Sequence, residues 1–173
     1  LELPVPSRET TPQLLMPLNL NQPYEASVEM VSYRRLYGLD ALDCDHWQGY
    51  VQMPLFKLHV QVFAPKIEKI KGSVCLLHGY LEHSGIYQPI IKELLEQGFS
   101  VLTYDLPGHG LSDGSPANLQ NFDHYQDVLH AVVRYVKHAE QLPQPWLGIG
   151  QSTGGSILMN HLLEFAERRE RPY

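Results

Sequence analysis

A serine flanked by glycines is the residue of this chain best placed to do chemistry. Ser152 stands in the run Gly150-Gln151-Ser152-Thr153-Gly154, a G-x-S-x-G pattern that is typical of a nucleophile elbow. An elbow of this kind holds the serine on a strained turn between a strand and a helix, and the two glycines leave room for that turn. The sequence therefore predicts Ser152 as the nucleophile of an acyl-transfer reaction. The alternative is an ordinary turn in which Ser152 or Thr153 only caps the following helix.

An acyl-transfer site also needs two backbone N–H groups that point at the developing oxyanion. Thr153, the residue after the nucleophile, is the first expected donor. The second donor is expected from the loop after an earlier buried strand, where His78, Gly79 and Tyr80 stand in sequence. We assign the Tyr80 N–H to this role, and Gly79 lets the loop bend sharply.

Three further residues are expected to line the same site, namely His78, Gly79 and Gln151. The alternative for His78 is a buried hydrogen bond within an ordinary strand-end turn. His83 and His109 lie on loops near the expected site and could line it as well.

The acid and the base of a catalytic triad are not evident in the sequence. Asp105 begins the run Asp105-Leu106-Pro107-Gly108-His109-Gly110-Leu111-Ser112, and we interpret it as a structural carboxylate that caps N–H groups of its own turn. The alternative is that Asp105 is the triad acid. His161 follows Ser152, but it lies on the same predicted helix and should point away from the elbow. No histidine therefore completes the order serine, acid, histidine. No cofactor or metal is expected.

Composition limits the classes of function. The 173 residues are 43% hydrophobic and carry a formal net charge of -6. This acidic balance argues against nucleic-acid binding and against a polybasic membrane anchor. No signal peptide or transmembrane stretch is visible, so a cytoplasmic location is expected, although the chain begins with Leu1. Cys75 is expected to be a small buried residue, and a disulfide with Cys44 is the alternative to two free thiols.

Hydrophobic periodicity predicts the elements that must position these residues. Residues 1–46 form a first unit, a proline-rich extended lead-in on a surface followed by a helix over 24–37. Two antiparallel strands at a sheet edge are predicted over 47–53 and 56–64. The second of these strands alternates apolar and polar residues, which places His59 on a polar face.

From residue 74 onward, strands and helices alternate. Buried strands are predicted over 74–77, 99–104 and 146–149, and they favour a mostly parallel sheet with helices on both faces. Ser84 is the predicted N-cap of the first helix, and Leu158, Leu162 and Phe165 are expected to point inward from the last one. The strand over 146–149 would form an uncovered hydrophobic edge, so we expect further chain or a second copy to cover it.

Three motifs together resemble those of a known family. They are His78-Gly79-Tyr80-Leu81-Glu82-His83-Ser84, Asp105-x-x-Gly108-His109-Gly110-x-Ser112 and Gly150-Gln151-Ser152-Thr153-Gly154-Gly155. In order and spacing they resemble the monoacylglycerol lipase and lysophospholipase group of α/β-hydrolases, which is also classed with the serine aminopeptidases. The resemblance covers about residues 47–167, and the H-G-x-x-E-H-S element points to this group.

The resemblance implies an α/β-hydrolase fold with an eight-stranded sheet, of which residues 47–173 would be the N-terminal portion. The C-terminal strands, a cap, and the triad aspartate and histidine would then lie downstream. It also implies Ser152 as the nucleophile and the Tyr80 and Thr153 amides as the oxyanion hole. Gln151 departs from the group, which usually has histidine before the serine, and we expect this change to adjust the pocket only.

The activity implied is that of a serine hydrolase that cleaves carboxylic esters of single-acyl lipids through an acyl-enzyme. Its partner would be a small-molecule acyl ester or a lipid, and peripheral contact with a membrane fits such a substrate. One alternative is an aminopeptidase-type serine hydrolase. Another is a non-catalytic binding protein of the same fold, or a truncated inactive fragment. The oligomeric state is not predicted.

Overall fold

The computed structural model describes residues 6, 7, 9, 10, 15–116 and 121–168. Five strands form one sheet: β1 (Cys44–Gln52), β2 (Lys57–Pro65), β3 (Ser73–Leu77), β4 (Ser100–Tyr104) and β5 (Trp146–Gly150). Their order is β1-β2-β4-β3-β5, in which β2 pairs antiparallel with β1 and β4 while β3 pairs parallel with β4 and β5. Four strands therefore run in one direction and β2 runs in the other, as the sequence predicts.

Four helices cover the two faces of this sheet: α1 (Val28–Leu36), α2 (Gln88–Glu96), α3 (Asp123–Val136) and α4 (Thr153–Arg168). Neighbouring residues of one strand belong to different cores, because side chains alternate along a strand. Val62 and Leu102 pack with the apolar side of α3, whereas Phe63 and Val101 pack with α1 and α2. This confirms the predicted layers of helix, sheet and helix.

The polar side of β2 differs from the prediction. His59 and Gln61 are fully buried, although their alternation with apolar residues indicated a solvated face. The reason is that each side chain has a polar partner inside the protein. His59 Nδ1 lies 2.8 Å from Asp105 Oδ2, and Gln61 Nε2 donates to Ser84 Oγ at 2.9 Å.

Two helix starts also differ from the prediction. The first helix begins at Val28, because Ser27 Oγ accepts the N–H of Met30 and caps it. Ser84 is not the N-cap of α2, since a 3₁₀ turn over Ser84–Tyr87 precedes that helix. The hydroxyl of Ser84 donates instead to Asp105 Oδ1 at 2.6 Å.

The lead-in lies against β1, the edge strand of the sheet. The N–H of Tyr50 donates to Met16 O and the N–H of Leu18 donates to Tyr50 O, each at 2.9 Å. Leu15 and Leu18 are buried. The predicted extended segment at residues 1–5, 8 and 11–14 lies outside the described residues.

The opposite edge is apolar and open. Leu147 on β5 is 48% exposed and Leu162 on α4 is 58% exposed. The predictions of a buried strand and of an inward Leu162 are therefore wrong. Within the described ranges no strand pairs with the second side of β5, which agrees with the expected uncovered edge.

The described residues contain neither a disulfide nor a helix that could span a membrane. Both Cys44 and Cys75 are free thiols, and Cys75 is buried as expected. No helix in the described part of the chain is long and apolar enough to cross a membrane.

Gly49 gives a test of the packing between the lead-in and β1. A Cβ at this position would lie 2.7 Å from Leu18 Cα and 2.8 Å from Met16 O. We expect Gly49→Ala to displace the lead-in and to lower the free energy of unfolding by about 1–3 kcal/mol. The measurements are urea unfolding and the rate of proteolysis within residues 15–20 of the full-length protein.

Gly148→Ala is the control for this test, because its Cβ would meet only the flexible end of Leu158 at 3.1 Å. Its proteolysis rate is expected to equal that of the wild type. If Gly49→Ala is also cleaved at the wild-type rate, the described contact does not hold the lead-in.

Candidate active site

Ser152 stands on a sharp turn between β5 and α4. Its φ is 48°, a left-handed conformation that non-glycine residues seldom adopt, and its side chain is exposed. The N–H of Ser156 donates to Ser152 O at 3.0 Å, so the helix begins directly after the serine. This is the backbone geometry predicted for an elbow, and the chemical role of Ser152 stays a prediction.

The two glycines of the motif are required by close backbone contacts. A Cβ on Gly150 would lie 2.5 Å from Gly155 N and would collide with the backbone of Gly154. A Cβ on Gly154 would lie 2.7 Å from the carbonyl carbon of Leu77 and would collide with its oxygen. The elbow is therefore pressed against the end of β3, where the second predicted donor loop begins.

The loop after β3 is a tight turn closed by a carboxylate. The N–H of Glu82 donates to Gly79 O at 3.3 Å, and the N–H of Gly79 donates to Glu82 Oε2 at 2.8 Å. A Cβ on Gly79 would lie 3.4 Å from Ser152 Cβ, so this turn abuts the serine. Because the Gly79 amide is committed to Glu82, Tyr80 stays the predicted oxyanion donor of the loop.

The second predicted donor, Thr153, is the first residue of α4. The first amides of a helix have no acceptor within the helix, and they lie at the positive end of its dipole. The Thr153 N–H therefore lies at the positive end of the α4 dipole, and its role as an oxyanion donor stays a prediction. Gln151, a predicted lining residue, is exposed beside the serine, and its N–H donates to Leu77 O at 3.1 Å.

The buried ring of His78 contacts the backbone of the loop after β3 and of the loop after β4. It is 1% exposed; its Nδ1 lies 2.7 Å from Gly79 O, and its Nε2 accepts the N–H of Leu106 at 2.8 Å. Because Nε2 accepts an N–H, the proton of the ring is on Nδ1, and burial lowers the pKa of His78 below its ordinary value. Both ring nitrogens are therefore used within the protein, as in the alternative interpretation of this residue.

The buried carboxylate of Asp105 connects the loop after β3 with the loop after β4. Its carboxylate accepts the N–H of Ser84 at 2.7 Å and the N–H of Leu111 at 2.8 Å, and it pairs with His59. Burial acts to raise the pKa of Asp105, but the His59 ring and the hydrogen bonds outweigh it and hold the pKa below its ordinary value. The structural interpretation of Asp105 is thus confirmed, and the carboxylate binds a second loop besides its own.

Three other histidines form their hydrogen bonds away from Ser152. His83 Nδ1 accepts the N–H of Gly85 at 3.2 Å, and His109 Nδ1 lies 2.9 Å from Pro107 O. His161 lies 3.0 Å from His130 on α3 and faces that helix. Ser152 Oγ forms no hydrogen bond to a histidine within the described ranges. Among those same residues, no group of three or more histidine, cysteine or acidic side chains is arranged to hold a metal ion.

Two structural residues of the site were not found from the sequence. The alternating pattern of β2 predicts a solvated face for His59, because its partner Asp105 is 46 residues away in sequence. The H-G-x-x-E-H-S motif assigns no role to Glu82, although its carboxylate accepts both the Gly79 N–H and the Tyr87 hydroxyl, the latter at 2.6 Å. The hydrogen bond from Tyr87 lowers the pKa of Glu82. The spacing of three residues from Gly79 is the signal that could have found it.

Known proteins are similar to this chain in sequence. The model of the family described as serine aminopeptidase, S33 matches residues 68–171. A caffeoylshikimate esterase from Arabidopsis thaliana is 30% identical over 114 residues, which are 65% of this chain and 34% of that protein. A monoacylglycerol lipase from Mycolicibacterium smegmatis is 30% identical over 88 residues, 51% of this chain and 31% of that protein. The chain thus spans about a third of the length of these curated relatives.

A solved structure has the same fold. Est1E from Butyrivibrio proteoclasticus, with ferulic acid bound, superposes with a TM-score of 0.58 at 27% sequence identity. The match covers 69% of this chain and 47% of the Est1E chain. The described sheet and helices therefore correspond to about half of the Est1E chain.

Gly154 and Gly155 are adjacent in sequence, and an alanine substitution at each position tests the packing of the elbow against the end of β3. We expect Gly154→Ala to lower the free energy of unfolding by about 3 kcal/mol, because its Cβ meets the rigid backbone of Leu77. Gly155→Ala places a Cβ 3.1 Å from Gly150 O on a helix, and we expect a change within about 1 kcal/mol. Denaturant unfolding measures both, and equal losses would contradict the described contact.

The Asp105 carboxylate predicts a pH dependence. Because its folded-state pKa lies below its ordinary value, Asp105 stabilises the fold above about pH 4, and this contribution declines as the pH falls further. We expect Asp105→Asn to lose about 3 kcal/mol near pH 7 and the difference from wild type to shrink toward about pH 3. Unfolding free energies over this pH range test it.

Asp127→Asn is the control, since Asp127 is exposed on α3. Its unfolding free energy is expected to match the wild type throughout. A difference between wild type and Asp105→Asn that stays constant down to about pH 3 would show that charge on Asp105 does not stabilise the fold.

Proposed function

Because the chain belongs to the serine aminopeptidase S33 family of α/β-hydrolases, we propose that it carries the nucleophile and the oxyanion hole of a serine hydrolase that cleaves carboxylic esters. The observation that carries this proposal is the elbow, where Ser152 has a φ of 48° and lies between the end of β3 and the start of α4. A strained, exposed serine at a helix N-terminus is the arrangement that nucleophilic acyl transfer needs.

In the proposed reaction, Ser152 Oγ attacks the ester carbonyl carbon and its proton passes to a histidine. The oxygen of the tetrahedral intermediate accepts hydrogen bonds from the Tyr80 and Thr153 amides. The alcohol leaves with the proton from the histidine, and an acyl-enzyme forms on Ser152. Water, deprotonated by the same histidine, then releases the carboxylic acid.

The histidine and its aspartate are proposed to come from another part of the full-length protein. Within the described ranges both ring nitrogens of His78 are bound inside the protein, and His109 is buried with its Nδ1 2.9 Å from Pro107 O. Asp105 is also unsuited as the triad acid, because its carboxylate is fully buried and already has four hydrogen-bond donors.

The proposed substrate is an ester with one acyl group, such as a monoglyceride or a lysophospholipid. The names of the relatives support this class, since both the caffeoylshikimate esterase and the monoacylglycerol lipase are named for esters of one acyl group. Apolar side chains on the loop beside Ser152 also fit an acyl chain, because Tyr80 is 53% exposed and Leu81 is 74% exposed.

A fluorophosphonate probe tests the nucleophile in the full-length protein. We expect fast, stoichiometric labelling of the wild type and a loss of at least about a hundredfold in Ser152→Ala, because only an activated serine attacks the phosphorus. Ser156→Ala is the matched control, since Ser156 is an exposed serine on the next turn of α4. Its labelling rate is expected to equal that of the wild type.

Equal labelling of wild type and Ser152→Ala would reject the nucleophile assignment. Absence of labelling in the wild type would favour a non-catalytic binding protein. A substrate panel then separates the enzyme classes, because faster release of aminoacyl arylamides than of monoacyl esters would favour the aminopeptidase alternative.

A further inference from the structure

A line of polar side chains connects the Asp105 carboxylate to an arginine beside the edge strand. Arg34 on α1 donates from Nε to Gln48 Oε1 at 3.1 Å. Gln48 Nε2 lies 2.8 Å from His59 Nε2, and His59 Nδ1 lies 2.8 Å from Asp105 Oδ2. Gln48, His59 and Asp105 are at most 1% exposed. These four residues, which we call the relay, therefore cross β1 and β2 inside the protein.

The arginine fixes the direction of every hydrogen bond in the relay. A guanidinium group only donates, so Gln48 Oε1 accepts and the amide nitrogen of Gln48 must donate to His59 Nε2. His59 then carries its single proton on Nδ1 and donates it to Asp105. The relay thus supplies one donor to a carboxylate that needs donors to stay charged when buried.

A second line of hydrogen bonds reaches the other carboxylate oxygen. Arg34 Nη2 donates to the backbone oxygen of His46 at 3.1 Å, and His46 Nε2 lies 3.0 Å from Gln61 Oε1. Gln61 Nε2 donates to Ser84 Oγ at 2.9 Å, and Ser84 Oγ donates to Asp105 Oδ1 at 2.6 Å. Both oxygens of Asp105 therefore accept hydrogen bonds from side chains whose own partners are buried, and the second line of hydrogen bonds starts at the His46 ring.

We propose that the relay positions the oxyanion hole, because it orients Asp105 and thereby holds the loop that carries the Tyr80 amide. Asp105 Oδ1 accepts the N–H of Ser84, which ends this loop four residues after Tyr80. Without the Gln48 amide, no donor faces His59 Nε2, so the His59 proton is no longer fixed on Nδ1 toward Asp105 Oδ2 and the end of the loop is held less firmly. The proposal rests on the proposed function, since it assigns a role to the same amide.

The protonation of His59 is the first test, and it does not depend on activity. Histidine-selective ¹⁵N NMR of the full-length protein is expected to show His59 as the neutral tautomer with the proton on Nδ1, assigned through His59→Gln. In Gln48→Glu the new carboxylate can only accept, so His59 is expected to gain a second proton and to give an imidazolium signal. A wild-type His59 protonated on Nε2, or on both nitrogens, would overturn the relay.

Kinetics of a glutamine variant are the second test. We expect Gln48→Met, which breaks the relay at a buried site, to lower kcat for a monoacyl ester and the rate of phosphonate labelling by about tenfold. KM is expected to stay unchanged, because the oxyanion forms only in the transition state. No loss of kcat in this variant would overturn the proposal.

Gln126→Met is the matched control, since Gln126 is also buried and its side chain donates to Ile157 O at 2.8 Å. It is expected to lose similar stability and to keep the wild-type kcat. Equal losses of kcat in both variants would overturn the positioning role. Wild-type labelling of Ser152→Ala would reject the proposed function, whereas normal rates in Gln48→Met with no labelling of Ser152→Ala would reject the relay alone.

Discussion

The buried carboxylate of Asp105 is the interaction on which the rest of the site depends. Burying a charge is costly unless several donors compensate it, and four donors from three segments converge on this one group. They come from His59 on β2, from Ser84 at the end of the loop after β3, and from Leu111 on the loop after β4. One group therefore sets the relative positions of the sheet and of two loops beneath the elbow.

The strand order explains why these loops meet the nucleophile. β3 and β5 are parallel neighbours, so the segments that follow them both leave the sheet at the carboxyl ends of its parallel strands. The carbonyl of Leu77 lies so close to Gly154 that the two loops share one contact surface. The elbow and the predicted oxyanion loop are thus positioned by adjacent strands, and their distance depends on sheet geometry more than on side-chain packing.

Local patterns in the sequence predicted most of the fold and the backbone of the elbow, whereas long-range polar pairs were missed. Val74–Leu77 and the G-x-S-x-G run are recognisable because their signals lie within a few residues. His59 was misplaced because a histidine on an alternating strand normally faces water, and only a distant carboxylate changes that. Leu162 was misplaced because helical spacing gives the apolar stripe and does not say what covers it.

The pairing of β2 with β4 has a consequence for how the chain folds. β2 precedes β3 in sequence but pairs with β4, so residues 60–63 must find residues 101–104 across an intervening strand and helix. The hydrogen bonds from His59 to Asp105 and to Ser112 span 46 and 53 residues and join the same two regions of the chain. Contacts of such separation form slowly, because the entropy of closing a long loop is lost before the contacts compensate it. Assembly of the loops under Ser152 is therefore coupled to a long-range pairing of strands.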